Sequence, residues 1–173
     1  MAKVTKFMNP ARDGVAFAIA AIAAATLAGA WFFELALGLA PCPLCLDQRW
    51  PYYIAVPLGL LVGALARDPK HKEATRAGFI ALAVVLGIGA GLGVYHAGIE
   101  WGLWPGPGTC AGVAPTPAGN ILDALKNPPR FVSCDEAAWR WLGISLAGYN
   151  ALIAGVLAWI AARTAYGSSS VSQ

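Results

Sequence analysis

The sequence predicts an all-α integral membrane protein: a four-helix transmembrane bundle with two external loops, the second long and irregular and carrying a short helix at the membrane interface. Two observations predict this. The 173-residue chain is 58% hydrophobic and only 12% charged, whereas soluble domains carry about 25% charge. Four stretches, 14–33, 50–66, 77–99 and 141–162, contain no Asp, Glu, Lys or Arg. A helix needs about 20 such residues, range roughly 17–25, to cross a bilayer core. The apolar content excludes intrinsic disorder. A net charge of +3 from scattered basic residues gives no clustered basic face for nucleic acid. The chain therefore reads as a single membrane domain, 1–173.

The first span, about 14–33, is longer than the roughly 7–15 apolar residues of a secretory signal, so it is read as retained. Glu34 ends it and is expected to be solvated. The second span, about 46–66, begins near Cys45, and Pro57 within it should kink the helix. In the third, about 77–97, Gly87, Gly89, Gly91 and Gly93 are read as small residues that allow close helix packing rather than as a phosphate loop. The fourth is about 141–162, which leaves external loops at about 34–45 and 98–140. Trp31, Trp50, Trp101, Trp104, Trp139 and Trp141 flank the spans, as interfacial aromatics do.

Basic residues near span ends collect on the cytoplasmic side. Lys3, Lys6, Arg12, Arg67, Lys70, Lys72, Arg76 and Arg163 fall on one side, and with Asp13, Asp68 and Glu73 leave it at +5. Arg49, Lys126, Arg130 and Arg140 fall on the other, which six acids bring to −2. Both termini are thus placed in the cytoplasm, and Cys42, Cys45, Cys110 and Cys134 all face outward. Disulfides persist in oxidising compartments such as the bacterial periplasm, so charge and cysteine usage agree independently. Two disulfide pairs are expected there.

Cys42-Pro-Leu-Cys45 is a short ring that opens and closes without moving the fold, and such motifs often hold one thiol as a thiolate. A nearby helix start favours negative charge. Arg49, four residues beyond Cys45, lies one turn on if the helix has begun there and would stabilise a thiolate or an anionic ligand; Pro51 leaves open a later start. A structural zinc site would want a second close pair or histidines, but Cys110 and Cys134 are far apart in sequence and His71 lies on the other side, so no metal is expected. A purely structural role is also disfavoured, because so short a loop constrains the unfolded chain little. Around Cys110 and Cys134, Pro105, Pro107, Pro115, Pro117, Pro128 and Pro129 with several glycines mark an irregular loop. A disulfide closing it would contribute about 3 kcal/mol on the chain-entropy view, and 121–126 is suited to a short interfacial helix.

Pro41-Cys42-Pro-Leu-Cys45-Leu-Asp-Gln-Arg49, an apolar span, Tyr95-His96, Trp104-Pro-Gly-Pro, Thr109-Cys110 and Cys134-Asp-Glu-Ala-Ala-Trp139-Arg-Trp-Leu142-Gly143 before the last span together resemble the bacterial inner-membrane disulfide bond formation protein B (DsbB) family. The resemblance implies a relay that reoxidises a periplasmic DsbA-like thiol oxidase and passes electrons to membrane quinone, ubiquinone or menaquinone. By position, it implies that Cys110 takes the partner's attack, that Cys134 acts toward Cys42, and that Cys45 faces the quinone as a thiolate with Arg49 holding the quinone ring. His96 has a rough counterpart near the quinone; a histidine resting at a span end is the alternative. Trp50, beside Arg49, is a further candidate contact, and Asp47 and Gln48 are assigned nothing. The implied surroundings are membrane lipid, quinone and the thiol oxidase, without nucleic acid. Two other classes compete. A quinone reductase like the vitamin K epoxide reductases would carry its Cys-X-X-Cys near the chain end, and a disulfide-stapled scaffold would lose stability but no electron transfer on Cys45→Ser.

Overall fold

The computed structural model describes residues 12–107 and 133–167. Within them run α1 (Arg12–Leu35), the short α2 (Pro43–Asp47), α3 (Trp50–Leu65), a 3-10 turn (Pro69–His71), α4 (Lys72–Glu100), the strands β1 (Arg140–Trp141) and β2 (Ile144–Ser145), and α5 (Leu146–Tyr166). Cys110 and the expected interfacial helix at 121–126 lie outside the described residues.

Among the described residues three helices, α1, the Pro69–Glu100 segment and α5, are long and apolar enough to cross a membrane. The expected second span is divided. Its 16-residue main part, α3, is about 24 Å long at ~1.5 Å per residue, and α2 is a separate turn of helix ahead of it. The break at Gln48 and Arg49 has a local cause: Pro51, in the first turn of α3, cannot supply a backbone N–H to continue the α2 ladder. Pro57 sits within α3 on an exposed face, and the helix runs through it without interruption.

The expected fourth span also starts later than its charge-free run. Arg140 pairs with Ser145 and Trp141 with Ile144, joined by a two-residue turn in which Leu142 (φ 50°) and Gly143 (φ 82°) both take positive φ. That combination matches the twist of a tight hairpin. The Ser145 side chain then accepts from Gly148 N at 3.2 Å and caps α5. A small sheet thus stands where the sequence reading was all-α.

The helices alternate in direction. α4 packs against α5, α1 against α3 and α3 against α4, around a core that includes Ile19, Tyr52, Val62, Phe79, Leu82, Leu86 and Leu157. Of the alternating glycines 87, 89, 91 and 93 in α4, Gly89 and Gly93 make the contacts. A Cβ on Gly93 would lie 2.8 Å from Ala151 N, and one on Gly89 3.1 Å from Pro51, whereas Gly87 and Gly91 face open space. Close approach of backbones at small residues is how membrane helices pack without a hydrophobic driving force between them.

One end of this bundle is basic. Arg67 meets Asp13 at 3.8 Å and lies over Phe17, Arg12 donates to Thr164 O, and Arg76 lies over Tyr166. Cys42, Cys45 and Cys134 belong to segments at the opposite end, beside the C-terminus of α4.

Gly93→Leu is expected to destabilise the detergent-solubilised protein by about 1–3 kcal/mol through overpacking against α5, while Gly91→Leu leaves it near wild type. Thermal unfolding of the two variants side by side checks this, and equal losses would contradict the packing.

Candidate functional site

Cys42 is the N-cap of α2, and its sulfur accepts from Cys45 N at 3.2 Å. Both Cys42 and Cys45 are free thiols, with their sulfurs 2.9 Å apart in a hydrogen bond. Cys134 is disulfide-bonded. The Sγ of Cys42, a ring nitrogen of His96 and the Sγ of Cys134 all lie within 4.8 Å of one another, and all three residues are buried. Residues 42, 96 and 134, remote in sequence, thus meet around one sulfur. A buried trio of this kind offers metal-ligand atoms too, but one of its sulfurs is spent in a disulfide.

The environment separates the two thiols. The hydrogen bond from Cys45, followed by the side-chain bond of His96, outweighs burial and lowers Cys42 from an ordinary 9.0 to about 5. The same hydrogen bond to Cys42, together with burial, pushes Cys45 up. The resemblance implies a Cys45 thiolate once Cys42 has been attacked; in the dithiol, the first negative charge is favoured on Cys42. The reason is directional: Cys42 receives the donors.

His96, expected only as a rough counterpart of a family position, is central. It is 3% exposed, with Nε2 3.6 Å from Cys42 Sγ and 3.9 Å from Glu100 Oε1, and its Nδ1 is 2.7 Å from Gln48 Nε2. Gln48 also donates to Leu44 O at 3.1 Å. Its Oε1 accepts from Asn150 Nδ2 at 2.7 Å, and Asn150 Oδ1 accepts from Tyr52 OH at 2.6 Å. Gln48, Asn150, Tyr52 and Glu100 were missed by sequence reasoning. The only signal available was polarity inside or beside apolar runs.

Arg49 is buried beside the same cavity, but its guanidinium donates to Glu34 Oε2 at 2.6 Å and lies over the Trp31 ring. Glu34, expected to be solvated, is thus the counter-ion of Arg49. The expected one-turn pairing of Arg49 with Cys45 gives way to this ion pair because the helix breaks between them. Trp50 is 64% exposed, packs edge-on against Tyr53 and does not line the cavity.

The cavity has a volume of about 440 Å³ and is lined by Cys42, Cys45, Arg49, His96 and Glu100 among apolar side chains such as Leu27, Phe33 and Ile153. Its size and mostly apolar walls with a few convergent polar groups are those of a small-molecule site. Glu100 Oε2 is buried there without a hydrogen-bond partner among the described residues.

A dithiol, one member tuned toward thiolate, beside the sulfur of a disulfide and an apolar cavity in a helical membrane bundle defines a membrane thiol-disulfide protein. A family model described as disulfide bond formation protein DsbB matches residues 12–164, and the chain belongs to that family. It is 33% identical over 129 residues to disulfide bond formation protein B of Methylococcus capsulatus, covering 71% of this chain and 75% of the relative. With the namesake from Marinobacter nauticus it shares 30% over 146 residues, covering 79% and 81%. An uncharacterised protein of Rickettsia prowazekii is 25% identical over 130 residues, covering 73% and 72%. No solved structure matches. The chain is thus a membrane disulfide bond formation protein.

Because Cys42 sits at about 5, its thiolate is present above that pH and disappears as pH falls through it. Alkylation of Cys42 in the reduced protein is expected to hold steady down to about that value and then fall about tenfold per pH unit. Mass spectrometry that locates the label checks it. A midpoint near the ordinary 9.0, or labelling mainly on Cys45, would contradict the assignment.

Proposed function

We propose that this protein is a quinone-dependent protein-disulfide oxidoreductase of a bacterial inner membrane that reoxidises a periplasmic DsbA-like thiol oxidase. In this reading α3 crosses the membrane as the second of four spans, with α2 as its external extension, both termini are cytoplasmic, and the cysteine pairs face the periplasm. The basic end of the bundle supports this orientation, since cytoplasmic ends carry the excess of Lys and Arg.

One observation carries the reading: Cys42 Sγ stands within 4.8 Å of Cys134 Sγ, close enough for exchange between the two pairs after a small adjustment. The partner's thiolate attacks Cys110 of a Cys110–Cys134 disulfide, and Cys134 leaves as a thiolate. Cys134 then attacks Cys42 of the oxidised first pair. A Cys42–Cys134 bond forms and Cys45 leaves with the electron pair. The partner's second thiol resolves its bond to Cys110, and Cys110 re-forms the bond to Cys134, releasing Cys42. The first pair ends as a dithiol and the second as a disulfide, the state of Cys42, Cys45 and Cys134 described above. While Cys42 is bonded to Cys134 it cannot hold the charge, so the thiolate passes to Cys45, and the role implied for Cys45 belongs to that stage.

The cavity fits a quinone ring in volume and in its apolar walls, and Glu100 Oε2, without a hydrogen-bond partner among the described residues, leaves a buried polar atom at its wall. Cys45, Arg49 and His96 would hold the ring, Arg49 through donors not used by Glu34. When bound, a quinone accepts two electrons and two protons. An acceptor of that strength is needed, because a DsbA-like partner is itself a strong oxidant at about −120 mV. The enclosing apolar residues exclude water from the sulfurs, and His96 supplies a donor at Cys42 Sγ.

Purified protein mixed with a reduced DsbA-like oxidase and ubiquinone or menaquinone in detergent is expected to reduce quinone. Cys42→Ser and Cys45→Ser should each abolish turnover; a wild type that transfers no electrons would sink the reading, as would variants equal to it. Arg49→Leu is expected to raise the apparent KM for quinone by about tenfold or more, the loss of one charge-assisted contact. An unchanged KM would remove Arg49 from the quinone site.

A further inference from the structure

The hydrogen-bond chain Tyr52–Asn150–Gln48–His96 does something the relay does not by itself require. Gln48 Nε2 faces two acceptors, Leu44 O at 3.1 Å and His96 Nδ1 at 2.7 Å. A backbone carbonyl only accepts, so Leu44 fixes which end of the Gln48 amide carries hydrogens. A flipped amide would set two oxygens against each other. The remaining oxygen, Oε1, accepts from Asn150 Nδ2, and Asn150 is held in turn because Tyr52 OH donates to its Oδ1. Every polar atom of the Gln48 amide is therefore committed. With an N–H donated to it, Nδ1 of His96 is the acceptor nitrogen. The proton of the neutral ring then lies on Nε2, the atom 3.6 Å from Cys42 Sγ.

We propose that Gln48, oriented by the Leu44 carbonyl and by Asn150, is a positioning residue: it fixes the tautomer of His96 so that Nε2–H points at the Cys42 sulfur and favours its thiolate. The inference rests on the thiol-oxidoreductase reading, but it concerns only the reduced first pair. The second nitrogen of a functional histidine commonly sets the role of the first. Here a side-chain amide at the C-cap of α2, tied to α5, performs that task for a histidine on α4.

The other groups facing this centre do not replace Gln48. Cys45 donates to the Cys42 thiolate from within α2, Glu100 Oε1 lies 3.9 Å from His96 Nε2 and, with the Cys134 backbone that also bonds His96, competes for the same proton, and the Cys134 sulfur does not titrate in its disulfide. From α1, Glu34 is occupied with Arg49. α5 presents Asn150, which is uncharged. Glu100 makes the tautomer matter more, since a ring with a bare Nε2 would place an acceptor between a sulfur and a carboxylate.

The test is a pH titration of the ultraviolet thiolate absorbance of the reduced, detergent-solubilised protein, without quinone or thiol partner. Failure here is thereby separate from failure of the relay. Gln48→Met, which keeps the bulk and removes the amide, is expected to move the Cys42 midpoint up by about one pH unit, a roughly tenfold loss of thiolate below it. His96→Phe should shift it in the same direction, and the double variant should go no further than His96→Phe alone, since both remove one interaction. Asn150→Leu, which frees the Gln48 amide at its other end, should also raise the midpoint and serves if Gln48→Met does not fold. A wild-type midpoint in the folded Gln48→Met protein, or additive shifts in the double variant, would overturn the proposal.

Discussion

The sulfur of Cys42 is held at the end of the bundle by donors from three directions, and the rest of the site is arranged around that fact. The Cys45 backbone N–H and thiol approach from the same turn of helix, and His96 reaches it from α4. A thiolate buried in apolar surroundings is costly unless its charge is answered by such donors. Stabilising it favours the dithiol over the disulfide, and a pair whose reduced form is stabilised is a stronger oxidant. The tuning of one sulfur therefore connects local geometry to the direction in which electrons move.

The membrane sets the other conditions. Backbone groups in lipid must be satisfied within helices, so irregular chain is confined to bundle ends, and that is where the break between α2 and α3 and the 140–145 hairpin stand. The break turns Gln48 and Arg49 to different tasks. Gln48 enters the polar network under Cys42, while Arg49 meets Glu34 at the cavity wall. A continuous helix through Cys45 would place both residues by helical spacing alone.

Small residues permit this geometry. Gly93 and Gly89 bring α4 against α5 and against the start of α3, which sets the distance over which Asn150 can reach Gln48 and Gln48 can reach His96. A wider separation would leave amide and imidazole groups buried without partners, at about 1–3 kcal/mol each. Trp104 covers Gly98, where any Cβ would collide with its ring, and its indole N–H donates to Tyr95 O beside His96. The helix end bearing His96 and Glu100 is thereby fixed from outside.

By itself, the sequence determined that the chain is a helical membrane protein and which family it belongs to. Each of these is written in short patterns: runs of about twenty residues without charge, a Cys-X-X-Cys next to an Arg, and basic residues gathered between alternate spans. Close packing at the glycines of the third span was legible for the same reason, as helical spacing is a local rule, but which of them, Gly89 and Gly93, meet a neighbour was not. Where tight turns intervened, the local rule failed. The start of the last helix slipped to Leu146 because Leu142 and Gly143 take positive φ, and charge-free composition does not register a hairpin. Only the tertiary structure decided that Glu34 neutralises Arg49, that Trp50 faces away from the cavity, that Gln48 lies against His96, and that Cys42 rather than Cys45 carries the first charge of the dithiol. These depend on which donor meets which acceptor across residues 48 and 150 or 42 and 96, and such meetings are fixed by helix packing, not by spacing along the chain.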